Sequence, residues 1–488
     1  MHRPADVIPP LEDDPSSLYV LGLMHMRSGQ LRYSVALFNR VLTLYPEHEG
    51  ALRNLVRALL AANRPTETLA QADRALGTFP DEPELHYARG TALSAIGQHE
   101  QAWAALSRAV ALDPGHAPSW LNLGNACADL GDLETAERHC RTALRIEPTM
   151  AEAQVSLAFM LTAQGHLAEA IAACETLLET RPDFVQAHWN LAVATLLAGD
   201  LPRGFAAYEW RKRHDRFRHD FINLPGPTWD GSNPSGRVIL IHAEQGYGDT
   251  IQFARYIPLI AARGGCPVLL CDQPLIPLFR ESLPGVPVLR RGAVLPSYDC
   301  WIDQMSLPRV FGTRLDSIPL AGGFLSADPL RTAAWNAVLP AGPRVGVAWA
   351  GNPLHSNDRR RSVPPSIFAP LLETPGIRFI NLQIGSPARA LPGLADLTPL
   401  LGDYAETAAL VANLDLVVCV DTSVAHLAGA LGKPAWVLLP HAPDWRWLLG
   451  RPDSPWYDSV RLFRQPVAGD WASVMQDVAV ALQRFQRR

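Results

Sequence analysis

Through the first 220 residues apolar positions recur at helical spacing in short blocks, and the blocks themselves repeat. Pro46, Pro80, Pro114, Pro148 and Pro182 stand 34 residues apart, and Gly29, Asn63, Gly97, Gly131, Gly165 and Gly199 keep the same period. Small residues follow at Ser34, Thr68, Ala102, Ala136, Ala170 and Gly204, where two antiparallel helices need close approach. Each unit therefore reads as helix, turn, helix, with Asn63 the one substitute that tolerates a left-handed backbone as glycine does. Such a unit cannot bury its apolar face alone, so the pattern predicts a right-handed superhelix of about six units over residues 14–217, its concave face open to an extended partner. The last unit keeps Trp189, Leu191, Gly199 and Tyr208 but ends in a charged run. Arg211, Lys212, Arg213, Arg216 and Arg218 either cap the array in water or meet an acidic group of the next domain or a phosphate.

Beyond a proline-rich connector, residues 218–236, the period changes to short apolar runs of strand length. Strands are expected at 238–242, 267–271, 286–289 and 298–302 in a first half, residues 237–340. In a second half, residues 341–488, they are expected at 344–349, 379–383, 416–420 and 436–439. Helices are expected at 250–262, 405–413 and 471–485, the last able to bridge the halves. The alternation gives the fold class α + α/β, a helical solenoid followed by two Rossmann-like halves facing across a cleft.

Candidate chemistry gathers where strands end. The run 416–420 breaks at Asp421, Thr422 and Ser423, which open a helix carrying His426 on the same face and ended by Gly432. Free amides and the helix dipole favour an anion at such a strand-to-helix junction. In the first half, Glu244, Gln245, Gly246, Tyr247 and Gly248 form a glycine-bearing loop, and Asp249 at its end reads as a helix cap or as a carboxylate facing a second substrate. The loop lacks the GK[ST] ending of a phosphate-binding P-loop. After the strand at 344–349, Gly351 and Asn352 lead into a polar loop with His355 and the run Arg359, Arg360, Arg361, of which one or two are expected to meet a diphosphate. Gln383 ends a strand where it can bond a base or sugar. Trp445, Trp447, Trp456 and Tyr457 line a pocket or cover the sheet edge.

The net charge of −5 argues for neither nucleic acid nor a polyanion as partner. No apolar run has signal-peptide or membrane-span length, so a cytoplasmic protein is expected. Seven cysteines without a CxxC pair are expected to be buried free thiols.

Two motifs, QGYGDTIQFARYIP in the first half and DTSVAHLAGALGKPAWVL in the second, resemble glycosyltransferases of the GT-B fold, in particular the heptosyltransferase-like family 9, over residues 238–488. The 34-residue period resembles the tetratricopeptide repeat (TPR). The whole chain looks like bacterial proteins in which such repeats precede a transferase, an order also found in protein O-linked N-acetylglucosamine transferases. The resemblance implies a metal-independent enzyme without a cofactor, using a nucleoside-diphosphate sugar as co-substrate. It places a general base on Asp249, with Glu244 to Gly248 on the acceptor side, and donor contacts on Asp421, Thr422, Ser423 and His426, of which His426 serves donor binding or leaving-group stabilisation. Gly351, Asn352, Arg359, Arg360, Arg361 and Gln383 complete the donor side. The loop after Gly351 departs from the heptosyltransferases in having no lysine, so the arginines stand in for it and the donor need not be ADP-heptose. The repeats imply a polypeptide acceptor or carrier, with homo-oligomer formation as their competing use. A non-catalytic scaffold with a degenerate transferase domain is the alternative.

Overall fold

In a computed structural model the described residues are 14–354, 357–385 and 391–485. The chain forms two compact units, Met1–Gln164 and Gly165–Arg488. His355 lies outside the described residues.

The first unit is a helical solenoid whose helices, from Pro15–Arg27 and Leu31–Leu44 to Leu133–Ile146 and Ala151–Ala163, are alternately 13 and 14 residues long. Gly29, Asn63, Gly97 and Gly131 all take positive φ at the turn inside each pair, with Asn63 at 53°, as the period predicts. The small residues serve the expected close approach. A Cβ on Gly124 would lie 2.9 Å from the Ala136 carbonyl oxygen, and one on Gly90 would lie 3.2 Å from that of Ala102. Ser34, Thr68, Ala102 and Ala136 are completely buried.

The second unit opens with the helices Leu167–Thr180, Val185–Leu197 and Leu201–Tyr208, followed by the 3-10 turns Glu209–Arg213 and Asp215–Phe217. Its first sheet has strands β1 Val238–His242, β2 Cys266–Cys271, β3 Val288–Arg290 and β4 Cys300–Asp303, all parallel in the order β3-β2-β1-β4. The second sheet has β5 Arg344–Ala348, β6 Arg378–Asn381, β7 Leu394–Ala395, β8 Leu416–Val420, β9 Ala435–Leu439 and β10 Val460–Arg464. These are also parallel, in the order β10-β9-β8-β5-β6-β7. Strand order reverses between β1 and β4 in one sheet and between β5 and β8 in the other, and at such switch points the loops diverge and leave a crevice.

The helix expected over 250–262 is broken into Tyr247–Phe253, a 3-10 turn Ala254–Tyr256 and Ile257–Ala262, because Pro258 has no N–H for an uninterrupted ladder. The final helix, Trp471–Phe485, does not bridge the halves. Its stripe of Val474, Val478 and Leu482 packs with Val418, Leu438 and Phe463 on the second sheet. All seven cysteines are free; six are buried and Cys266 is exposed.

Candidate functional site

The carboxyl end of β8 delivers Asp421 and Thr422 to the second switch point. Thr422 is the extended N-cap of the helix Ser423–Ala430, yet its side chain makes no cap hydrogen bond. Its Oγ1 and the Trp447 indole Nε1 are buried without a hydrogen-bond partner of normal geometry, although the indole leans towards the Asp421 carboxyl closely enough to help lower it. Burial and the neighbouring Asp444 push the Asp421 carboxyl up to about 6, against the pull of Arg361 and Arg446. His426, 5 % exposed, lies on the first turns of the helix with Nε2 4.0 Å from Asp421 Oδ1, beyond hydrogen-bond range. Its Nδ1 is 3.0 Å from the Tyr457 hydroxyl and its ring stacks on Trp447 at 5.4 Å between centroids. Burial, with the charges of Arg446 and Arg255, holds His426 well below the ordinary imidazole value, so it is neutral near pH 7. The Ser423 hydroxyl accepts from Tyr404 at 2.6 Å.

Across the switch point, side chains hold the chain leaving β5. Gln383 Oε1 accepts the Ala350 N–H at 2.9 Å, so its amide ties two strand ends together. The Gly351 N–H donates to Ser362 Oγ at 3.0 Å. A Cβ on Gly351 would lie 2.6 Å from Arg361 Nε, so this glycine leaves room for the arginine to fold back. Arg361, with 15 % of its side chain exposed, exerts its charge on Asp421, whereas Arg359 is exposed and Arg360 half-buried. Asn352 is exposed and its Oδ1 accepts the Leu354 N–H. Of the residues expected around the donor, Asp421, Thr422, His426, Gly351 and Arg361 thus share one end of the sheet.

The glycine loop of the first half comes to the same place. A Cβ on Gly248 would lie 2.8 Å from His426 Cδ2, so the absent side chain lets the helix Tyr247–Phe253 pack on Ser423–Ala430. Tyr247 is exposed with its ring 5.5 Å from that of Tyr404. Gln245 takes φ 67°, a left-handed conformation uncommon outside glycine, and its Oε1 accepts from the Tyr208 hydroxyl at 3.2 Å. Both Asp249 oxygens are engaged. Oδ2 accepts the Gly246 N–H at 2.9 Å as a helix cap, and Oδ1 accepts Arg446 Nη2. Burial raises the Asp249 carboxyl from its ordinary value while Arg446 and the Gly246 N–H pull it back.

Arg446 is the residue that sequence reasoning missed. It is 7 % exposed and reaches Asp444 at 2.8 Å and Gln252 Oε1 at 2.8 Å besides Asp249, with its guanidinium 4.3 Å from the Trp445 ring centroid. The signal was the run Asp444-Trp445-Arg446-Trp447: an arginine set between two tryptophans is driven inside, and a buried guanidinium needs carboxylates.

The first switch point holds a different cluster. His242, Glu244 and Asp303 are buried with potential ligand atoms within 4.8 Å of one another. Their carboxylates already meet two cations from the 3-10 turn after the helices. Arg211 Nη2 donates to Glu244 Oε1 at 2.7 Å, and Lys212 Nζ lies 3.2 Å from Asp303 Oδ2. Against burial, Arg211 and Lys212 hold the neighbouring Glu209 down at about 2. Two residues of the charged run therefore meet acidic groups of the first sheet, while Arg213 reaches Asp183 at 3.1 Å. Glu244 is wholly buried in this network, a place apart from the exposed Gly246 and Tyr247 of the same loop.

Residues 19–83, 87–151 and 128–196 match models of the tetratricopeptide repeat, and residues 392–443 match the model of glycosyltransferase family 9 (heptosyltransferase). Protein FlbA of Caulobacter vibrioides is 32 % identical over an alignment of 296 positions that covers 54 % of this chain and 49 % of FlbA, so the chain spans about half the length of the curated relative it matches. Among solved structures, a thermophilic TPR protein of Thermus thermophilus is 26 % identical over 38 % of this chain and 100 % of its own, with a TM-score of 0.33. MamA of Desulfovibrio magneticus is 26 % identical over 28 % of this chain and 78 % of its own, with a TM-score of 0.27. The chain thus joins tetratricopeptide repeats to an α/β region with a heptosyltransferase-like segment. Among the described residues, no helix is long and apolar enough to cross a membrane.

Proposed function

We propose that this chain is a glycosyltransferase of the GT-B type, moving a sugar from a nucleoside-diphosphate sugar to a protein or glycan acceptor docked by its repeats. The observation that carries the reading is the unsatisfied Thr422 hydroxyl beside Asp421. Thr422 Oγ1 is buried without a hydrogen-bond partner at a helix N-terminus within reach of Arg361 charge, and the Trp447 indole that leans towards Asp421 makes no bond of normal geometry. Buried polar groups left unpaired cost about 1–3 kcal/mol each, so a ligand rich in acceptor oxygens is favoured there, and a diphosphate supplies them.

In this reading Asp249 takes the proton of the acceptor hydroxyl as that oxygen attacks the anomeric carbon, and the nucleoside diphosphate leaves with the electrons of the broken C–O bond. Arg446 links the two ends of the reaction. Its charge acts on Asp421 and His426 while its Nη2 occupies Asp249, so an entering diphosphate gives it another partner and frees a carboxylate oxygen. No step calls for a metal, and turnover is expected to survive a chelator.

Titration with UDP, GDP, ADP and dTDP, and with their sugars, tests the proposal. One tight nucleotide is expected. Failure of all of them favours the scaffold reading, in which the Asp249–Arg446 pair is a permanent structural bridge. The accepted sugar and its acceptor would be read from the mass shifts of cell proteins and glycans incubated with the chain.

A further inference from the structure

Room is made for Tyr457 beside the helix Ser423–Ala430. A Cβ on Gly429 would lie 2.5 Å from Tyr457 Cδ1, so this glycine lets the phenol lie across the helix that carries His426. The hydroxyl then stands 3.0 Å from His426 Nδ1. On its other side is Arg255, fully buried, with Cζ 4.8 Å from the Tyr457 ring centroid and 5.4 Å from that of Trp456. Arg255 donates to the Gln252 and Trp456 carbonyls at 2.8 and 2.9 Å and has no carboxylate among its hydrogen-bond partners.

These neighbours decide which way the Tyr457–His426 bond runs. A guanidinium has no lone pair to offer, so it cannot take the phenol hydrogen, whereas a neutral imidazole has one free nitrogen. Burial also pushes the Tyr457 phenol up to about 12, so it keeps its proton. We propose that Tyr457 donates to His426 Nδ1 and thereby fixes His426 as the neutral tautomer with hydrogen on Nε2, making Tyr457 a positioning residue for a histidine that donates to the ligand. The ring is held from two further sides, by Trp447 stacked at 5.4 Å and by the backbone of Gly248, so the Nε2–H direction is fixed too. At 4.0 Å from Asp421 Oδ1, this hydrogen is not spent on the carboxylate. A neutral donor aimed at the strand end suits a phosphate oxygen of the leaving group, and this last step rests on the function proposed above.

The tautomer is read without any ligand, by long-range nitrogen–proton NMR of the full chain labelled at histidine, with the His426 signals assigned by their loss in His426→Gln. The expected spectrum at neutral pH shows hydrogen on Nε2, and Tyr457→Phe, which keeps the ring, gives mixed tautomers. Hydrogen on Nδ1 in the wild-type chain, or an unchanged tautomer in Tyr457→Phe, overturns the proposal. Should Tyr457→Phe not fold, His426→Gln and His426→Asn replace it in the titrations with UDP, GDP, ADP and dTDP, since a Gln amide reaches the Nε2 position and an Asn amide the Nδ1 position. The Gln variant is expected to bind the nucleotide about 10-fold more tightly than the Asn variant, and the reverse order overturns the proposal. Absence of nucleotide binding in the wild-type chain beside an Nε2–H spectrum refutes the function and leaves the tautomer assignment standing.

Discussion

Arg211 Nη2 donates to Glu244 Oε1 at 2.7 Å with both side chains 0 % exposed, so the segment that closes the helices is anchored inside the first parallel sheet. Burial pushes Glu244 up and Arg211 pulls it back, leaving an ion pair in which neither partner has solvent to fall back on. Ser306 accepts a second bond from Arg211 at 2.9 Å, and the Met305 N–H donates to Glu244 Oε1 at 3.1 Å. Removing one ion strands the other. Arg211→Met is therefore expected to cost about 3–5 kcal/mol in denaturant unfolding, and the double variant with Glu244→Gln distinctly less than the sum of the singles. Additive costs would mean that the two charges do not act as a pair.

Asp249→Asn keeps the shape of the helix cap and removes the base. A fall in turnover of about 10²–10⁴-fold is expected, with nucleotide affinity retained. Normal turnover would reduce Asp249 to the cap that its bond from Gly246 already makes it. His426→Ala should instead weaken nucleotide binding, and unchanged affinity and rate in that variant would remove the histidine from the site.

Asp421 gives a pH signature whose sign follows from its direction of shift. Its carboxyl is pushed up from 3.8 to about 6, so the folded chain holds this proton more tightly than the unfolded chain does. Its contribution to stability is full below about pH 4 and is lost as pH rises towards 6. Asp421→Asn should flatten the decline over that window and raise the thermal midpoint at neutral pH. An identical slope in the wild-type and variant chains would contradict the shift.

Gly429→Ala tests the packing that seats Tyr457. The added methyl group would stand 2.5 Å from Tyr457 Cδ1, inside contact distance, and the phenol has the buried Arg255 behind it. A loss of about 1–3 kcal/mol is expected, with weaker nucleotide binding because His426 loses its neighbour. Gly77→Ala, where nothing lies within 4 Å of the added atom, serves as the control that should leave stability level or raised.

Much of this was legible in the sequence because it depends on local rules. The turn at Asn63 followed from one period and one backbone property, and Leu416–Val420 matched its strand residue for residue because five apolar positions between turn signals leave few alternatives. β10, Val460–Arg464, was missed because Arg461 and Arg464 interrupt its apolar run; as an edge strand it exposes Arg461 and so breaks the fully buried pattern used to find its neighbours. Arg446 escaped for a different reason. Its partners Asp249 and Gln252 lie nearly 200 residues earlier, and no spacing along the chain encodes that approach. The same holds for Arg211 and Lys212, where the sequence left capping and ion pairing open and the buried carboxylates of Glu244 and Asp303 decide.

Where the chain is cut determines what removal of the repeats can report. A chain beginning at Phe221 looks natural from the connector, but it takes away Arg211 and Lys212 and leaves Glu244 and Asp303 buried without their cations. It should lose about 3–5 kcal/mol and fail for reasons unrelated to any acceptor. A chain beginning at Gly165 removes one compact unit whole and keeps Tyr208 on Gln245 and Phe205 against Trp445 at 5.5 Å. If the repeats dock a polypeptide acceptor, this second form should bind nucleotide and hydrolyse donor as the full chain does. Its transfer to protein acceptors should fall on the order of 10²-fold, since the acceptor loses its raised local concentration. Undiminished transfer would end the docking proposal. Sedimentation of the two forms separates the competing use of the repeats, because a dimer that becomes a monomer on their removal identifies them as the surface through which two copies of the chain associate.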